Sequence, residues 1–352
     1  VKKATIKDIA RDLDVSVGTV YRALNNKGRI KADTKKKVIE KANELNYSIN
    51  SVARRFALRN NYCILVVMPE EPQFFWNDIR KGLASIEKEL AEFGAEIKTY
   101  YIKNTYNPDI HLEIIRILEE KEINGLVIVP LYIYKFDQLL EYTKEHSIPT
   151  AVFSTDVDKG DILFYYGPDD QLSGLMAGEL LSKFINLKGD VYVMVRKEDF
   201  IYYSPRLQGF CRYMQKNSPL INISDIYTYE TDHEKEVLEK ALSNPEIKGI
   251  YVMDGSGAGI FGKLLKDLKK EGISLVGHEN YPLSKTMLIE GYVTALLCEE
   301  RFCQGYYPVK LLYEYLVQGT LPDEKDIYTN INVVLKENVH YLDYYKDGRG
   351  YR

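Results

Sequence analysis

Thr5–Leu24, TIKDIARDLDVSVGTVYRAL, holds two helical signals separated by one break. Thr5 followed three residues later by Asp8 is a capping-box variant, with Thr5 as N-cap. Ile6, Ile9, Ala10 and Leu13 then recur at helical spacing and line one face. Asp14-Val15 interrupts the pattern, and Ser16 is placed to cap a second helix over 17–24 with Val20 and Leu24 inward. After Asn25-Asn26-Lys27-Gly28, a third helix is expected from Asp33 or Thr34. Val38, Ala42 and Leu45 are its apolar stripe, and Lys35, Lys36, Lys37 and Lys41 crowd its other side. Three short helices with a tight turn between the first two predict a helix-turn-helix, whose second helix enters the major groove of DNA.

Charge agrees with that reading. Residues 1–60 contain 15 Lys+Arg and 6 Asp+Glu, a net of +9, although the whole chain carries −4. The remainder is therefore at −13. A basic end on a body that would repel a polyanion points to nucleic acid, although a solvated basic tail gives the same count.

Outward from the helix pair, the run from Thr5 to Leu58 holds five ordered blocks: TIKDIA, VSVGTVYRALN, TKKKV, LNY and NSVAR. In that order they resemble the headpiece of the lactose-repressor (LacI/GalR) family. The resemblance implies that Val17, Gly18 and Arg22 read bases, Arg22 by bidentate hydrogen bonds to a guanine edge. Thr5, Ser16, Thr19, Asn25 and Thr34 would contact phosphates; Tyr21, where the family has serine, would reach a phosphate or serve structure. Residues 50–58 match the family's hinge helix, which implies minor-groove contacts from Asn50, Ala53 and Phe56. A linker helix with one half-buried Phe is the alternative. Phe56 stands where the family has leucine, and Ile49 where it has proline.

From Tyr62 onward, short apolar runs alternate with amphipathic stretches, the pattern of doubly wound parallel α/β sheets. Strands are expected at 63–68, 95–101, 125–130, 149–153, 162–166, 190–195, 226–229, 248–253, 274–278, 293–298 and 329–335. These are too many for one comfortable sheet, so two α/β halves are expected. The segments PQFFW, VFSTDVD, GPDDQLSGLMAGELL, SPRLQGF, IYVMDGSGAG, LVGHEN and QGYYPVKLLYEYL resemble, in order, the type I periplasmic-binding-protein fold that the same family uses to hold an effector. The expected division is 1–48 headpiece, 49–61 hinge and linker, 62–341 two-lobed sensing and dimerisation domain, and 342–352 polar tail. Lobe 1 would comprise about 62–163 and 294–324, and lobe 2 about 164–293 and 325–341, with ligand between them.

A sugar has an apolar face for an aromatic ring and hydroxyls for charged or amide partners. The resemblance therefore implies ligand contacts from Phe75, Trp76, Asp156, Arg206, Asp254, Glu279 and Glu299. Four of them have a plainer reading. Trp76, the one tryptophan, could be core; Arg206 could pair internally; Asp254 and Glu279 could cap helices. Glu279 and Glu299 replace the usual Asp and Gln, so ligand identity does not transfer from a relative.

Gly257-Ala258-Gly259-Ile260-Phe261-Gly262 is a formal G-x-G-x-x-G with Glu279 about where a ribose-binding acid would lie. It keeps a second class open, an NAD-sensing regulator or dinucleotide-dependent enzyme using Gly257, Gly259 and Gly262. Its strand is far from the first of its domain, and Leu264 replaces the Ser/Thr of a P-loop. His111, His146, His233, His278 and His340 are isolated, and Cys63, Cys211, Cys298 and Cys303 lack zinc-site spacing. No enzyme activity, cofactor or metal is expected. No apolar run approaches the roughly twenty residues of a membrane span, and no export signal opens the chain, so a cytoplasmic location is expected. The expected partners are near-palindromic operator DNA, a small carbohydrate-like effector and a second copy of the chain.

Overall fold

The computed structural model describes residues 6–13, 15–16, 19–20, 23, 31–45, 62–105, 107–130, 133–157, 160–197 and 204–341. The chain divides into two compact units, Val1–Asn60 and Asn61–Arg352.

In the first unit, α1 (Ile6–Asp12) and α2 (Ala32–Glu44) flank helical residues Thr19, Val20 and Ala23. The Ser16 hydroxyl accepts the Thr19 N–H at 3.1 Å, which satisfies an otherwise unpaired helix-start donor. Ile9, Ala10, Val20, Ala23, Val38 and Ala42 bury one another, with Leu13, Val15 and Leu45 half-buried around them. α2 starts at Ala32, just ahead of the expected Asp33, because the Lys35 N–H already bonds the Lys31 carbonyl. The expected inward Leu24, the hinge at 49–61 and the tail at 342–352 lie outside the described residues.

The second unit holds two six-stranded sheets. The first half of its chain runs β1 (Cys63–Pro69), α3 (Gln73–Ala91), β2 (Glu96–Ile102), α4 (Ile110–Glu120), β3 (Gly125–Ile128), α5 (Ile133–Glu145), β4 (Thr150–Phe153) and β5 (Tyr165–Gly167). Then come α6 (Asp170–Phe184), β6 (Gly189–Arg196), α7 (Ser204–Asn217), β7 (Ile221–Tyr229), α8 (Glu234–Leu242), β8 (Ile247–Val252), α9 (Gly257–Asp267), β9 (Ser274–His278) and α10 (Pro282–Glu290). The chain closes with β10 (Ala295–Glu299), α11 (Arg301–Gln318), β11 (Asp326–Tyr328) and β12 (Ile331–Val334).

The first lobe's sheet has the order β11-β5-β4-β3-β1-β2 and the second β12-β10-β9-β8-β6-β7. All pairs are parallel except β10 with β12. β1 is buried along its whole length because helices cover both faces of the sheet, which is why CILVVMP has no polar alternation. The chain crosses between lobes after β5, after β10 and between β11 and β12.

Those crossings correct the expected lobe boundaries. β5 belongs to the first lobe, not the second, since it pairs with β4 there. β10 belongs to the second lobe because it pairs with β9. The strand expected at 329–335 is β12, which pairs with β10 in the second lobe, and an unexpected short strand before it, β11, pairs with β5 in the first. β7 also extends to Ile221, beyond the expected 226–229, because its N-terminal half pairs with β6 despite weak apolar patterning.

Pairs of glycines let helices meet backbone to backbone. A Cβ on Gly174 of α6 would lie 1.8 Å from the Arg206 carbonyl oxygen of α7, and one on Gly209 would lie 2.0 Å from that of Gln171. The first lobe repeats the device: Gly82 of α3 faces the Phe302 carbonyl of α11, and Gly305 faces that of Ile79. Close-packed interiors cannot admit even one methyl there without moving a helix.

Candidate functional site

The three crossings bring strand ends from both lobes together, and charged residues gather there. Pro168 and Asp169 follow β5, and the Asp169 carboxylate caps α6 by accepting the Leu172 N–H at 2.8 Å. Its neighbour Asp170 is thereby held facing α7. Arg206, 4% exposed in the first turn of α7, answers it: Nε donates to Asp170 Oδ1 at 3.0 Å, and Nη2 also reaches that oxygen. Nη1 donates to the Met253 carbonyl at 2.9 Å and Nη2 to Glu299 Oε1 at 3.2 Å. The Gly174 contact fixes the backbone from which this guanidinium extends.

Glu299 ends β10. Its second oxygen accepts from Gln304 Nε2 at 3.0 Å. Burial, followed by the neighbouring Glu279 carboxylate, pushes the Glu299 carboxyl up to about 8. Glu279 directly follows β9 at φ 63, a left-handed backbone that a glutamate rarely adopts. Its N–H donates to the Leu297 carbonyl at 3.0 Å, which ties the strained residue to the adjacent strand. Burial raises its carboxyl as well, and Arg301 partly offsets the shift.

Arg301 opens α11 and joins the lobes. Its Nε lies 3.5 Å from Glu279 Oε2 in the second lobe; Nη2 lies 3.2 Å from Asp78 Oδ2 of α3 in the first. Nη1 donates to the Phe74 carbonyl at 3.3 Å, and the guanidinium sits 5.7 Å from the Phe75 ring centre and 5.6 Å from that of Tyr281. Phe74 and Tyr281 also meet edge to face across the lobes, at 4.2 Å between centres. A cavity of about 360 Å³ opens beside these groups, lined among others by Asp78, Asn280, Glu299, Arg301, Asn332 and Tyr341.

Of the residues named from sequence, Arg206, Glu279 and Glu299 therefore converge. Phe75 is half-buried against Arg301. Trp76 instead belongs to the first-lobe core: it is 6% exposed, and its Nε1 donates to the Glu71 carbonyl at 3.1 Å. Asp156 is exposed after β4 and accepts the Val157 N–H at 2.7 Å. Asp254 is 2% exposed and faces inward to hold the start of α9. One oxygen accepts the Gly257 N–H at 2.7 Å and the Ser256 hydroxyl at 3.2 Å; the other accepts from the Tyr229 hydroxyl.

That arrangement also removes the basis for a dinucleotide site. A pyrophosphate would need the N–H groups at the start of α9, where the Asp254 carboxylate already sits. A Cβ on Gly259 would meet the backbone of α10 at 2.7 Å, and one on Gly262 would meet Met287 and Val293, so these glycines serve helix packing.

Sequence reading missed Asp78, Asp170, Asn280, Arg301, Gln304 and Tyr281. The run Glu299-Glu300-Arg301 was the available signal, since three consecutive charges at a strand end are hard to bury unless they pair. In the headpiece, Ser16 is exposed and Thr19 and Thr34 half-exposed; the Ser16 and Thr19 hydroxyls lie 2.9 Å apart. Thr5, Val17, Gly18, Tyr21, Arg22, Asn25, Asn50, Ala53 and Phe56 lie outside the described residues. Among the described residues no group of three His, Cys, Asp or Glu is arranged to hold a metal, and no helix is long and apolar enough to cross a membrane.

Comparison with known proteins agrees with this architecture. Residues 5–50 match the family described as bacterial regulatory proteins, lacI family, and residues 64–320 match the periplasmic binding protein domain. Catabolite control protein A of Staphylococcus aureus is 28% identical over 219 residues, 60% of this chain and 62% of that protein. The HTH-type transcriptional regulator RegA of Clostridium saccharobutylicum is 28% identical over 216 residues, 60% of this chain and 61% of its own. The chain thus spans less than two thirds of the length of these relatives. Among solved structures, GanP, a glucose-galactose binding protein from Geobacillus stearothermophilus, superposes with a TM-score of 0.71 at 21% identity. It covers 80% of this chain and 99% of its own, a likeness of fold. With a lacI-type headpiece followed by a periplasmic-binding-protein body, the chain belongs to the lacI family of bacterial regulatory proteins.

Proposed function

We propose that the chain is a sequence-specific DNA-binding transcriptional regulator, a repressor, whose operator affinity is set by a small sugar-like molecule bound between its lobes. One observation carries the reading: Arg206, Glu299, Glu279 and Arg301 form a connected, buried set at the lobe crossings, so a ligand there changes how the lobes meet. The likeness of the body to GanP supports a sugar-class effector. Phe75, Asp156 and Arg206 would contact it, with Glu279 and Glu299 at the strand ends.

In this reading the headpiece docks by phosphate contacts from Ser16, Thr19 and Thr34, while Arg22 reads a guanine. Two copies would meet two half-sites of a near-palindrome about one helical turn apart. By linkage, ligand and operator alter each other's affinity by the same factor. Selection from random duplex DNA, followed by a thermal-shift screen of mono- and disaccharides, tests it. The expected result is a palindromic consensus whose affinity moves with a saturating sugar. Failure to enrich any sequence overturns the DNA-binding reading, and a stabilising sugar that leaves operator affinity unchanged overturns the gating.

A further inference from the structure

The carboxylates at the lobe junction outnumber its cations. Asp78, Asp170, Glu279 and Glu299 have side chains no more than 18% exposed, against Arg206 and Arg301 at 5% and 7%. Both guanidiniums are engaged: Arg206 by Asp170, Glu299 and the Met253 carbonyl, and Arg301 by Glu279, Asp78 and the Phe74 carbonyl. Lys81, on the cavity rim, pairs with Asp78 at 2.9 Å.

Several polar atoms there are buried without a hydrogen-bond partner, and most of them are acceptors. They are Oδ1 and Nδ2 of Asn280 and Oε1 of Gln304. Asn280 is 4% exposed and lines the cavity; Gln304 is 1% exposed and holds Glu299 through its other amide atom. A buried acceptor without a donor costs the full loss of its hydration, so such a group in a cavity wall marks where a ligand's donor belongs.

We propose that this junction selects a cationic, donor-rich small molecule, an amine-bearing sugar in class, over the neutral sugar, and rejects phosphorylated sugars. An ammonium brings three donors and one positive charge to a cavity wall that holds Asp78, Glu299, Glu300 and the unpaired amide oxygen of Asn280. It lets Glu299 ionise beside Glu279, which burial and the repulsion of the two carboxylates oppose. A phosphate dianion meets the same carboxylates with no uncommitted guanidinium to receive it. The inference rests on the sugar-sensing reading and names the charge class of its effector.

Calorimetric titration of the full chain at pH 7 tests it. Glucosamine, galactosamine and mannosamine are each compared with the parent hexose and its 6-phosphate. The expected result is one amine binding at least tenfold more tightly than its parent, with no binding of the corresponding phosphate. Glu299→Gln is expected to abolish the preference, so that the amine and its parent hexose bind within threefold of each other. A parent or phosphate ester binding as tightly as its amine overturns the charge preference and leaves sugar sensing standing. Silence from all nine compounds overturns this inference, and a blank in the screen of mono- and disaccharides as well overturns sugar sensing.

Discussion

Arg206 Nη2 lies 3.2 Å from Glu299 Oε1, and this contact ties the first turn of α7 to the end of β10, 93 residues further along the chain. The same nitrogen is shared with Asp170, so removing it exposes two carboxylates to each other in a dry setting. Arg206→Ala is therefore expected to cost about 3–5 kcal/mol, the range for leaving a buried charge uncompensated. Urea unfolding of the body measures the loss. A change below 1 kcal/mol would mean that water reaches these groups.

Glu299 carries a pH dependence whose sign follows from its environment. Its carboxyl is raised to about 8 in the folded chain, above its ordinary unfolded value, so the folded state binds a proton that the unfolded state has released. The stability this lends is complete below the ordinary carboxylate range and is lost as pH rises toward about 8. Glu299→Gln should flatten that decline and raise Tm at pH 8. Gln304 can flip its amide to offer its unpaired Oε1 to the new NH₂ group. A Tm-against-pH series on both proteins checks it.

Gly305→Ala should separate α3 from α11, because the added Cβ would lie 1.9 Å from the Ile79 carbonyl oxygen. Backbone meets backbone there, so no side chain can yield, and the cost should exceed the about 1–3 kcal/mol of ordinary overpacking. Gly272→Ala is the comparison. Its φ of 78 is left-handed but nothing lies within 4 Å, so only the conformational penalty of about 1–2 kcal/mol applies. Thermal unfolding should rank them in that order.

Trp76 offers a direct reading of the first lobe, since it is the one tryptophan in the chain. Its burial and its bond to the Glu71 carbonyl predict blue-shifted emission that quenches poorly with iodide. Trp76→Phe should cost stability through the lost bond, about 1 kcal/mol. It should change sugar affinity by less than threefold. A large affinity loss at unchanged stability would return Trp76 to the ligand surface.

Arg22→Ala should remove about 1–3 kcal/mol of discrimination between the preferred operator and one altered at a single guanine. Non-specific binding should remain and keep its steep salt dependence, with a slope of about −0.9 per phosphate neutralised. Fluorescence anisotropy across a salt series separates the two effects.

The headpiece was legible in the sequence because its signals are local. The spacing of Ile9, Ala10 and Leu13 in one helix, that of Val38 and Ala42 in another, and the cap at Ser16 operate within one or two helical turns. Alternating apolar and amphipathic stretches likewise disclosed the two α/β halves, and Arg206, Glu279 and Glu299 followed from a family pattern. Which lobe holds β5, β10 and β11 was not legible. β5 and β11 have three residues each, too few for any period, and they pair across 161 positions, Tyr165 with Asp326.

By itself, then, the sequence determined the classes of its two units, because helix and strand periodicity are properties of neighbouring residues. Only the tertiary structure decided which side chains meet at the lobe junction. Arg301 reaches back 227 residues to the Phe74 carbonyl, Asp254 turns inward to cap α9 and Trp76 sinks into the core. Each outcome depends on which distant group can compensate a charge or fill a space once water is excluded, and such long-range partnerships leave no local pattern to read.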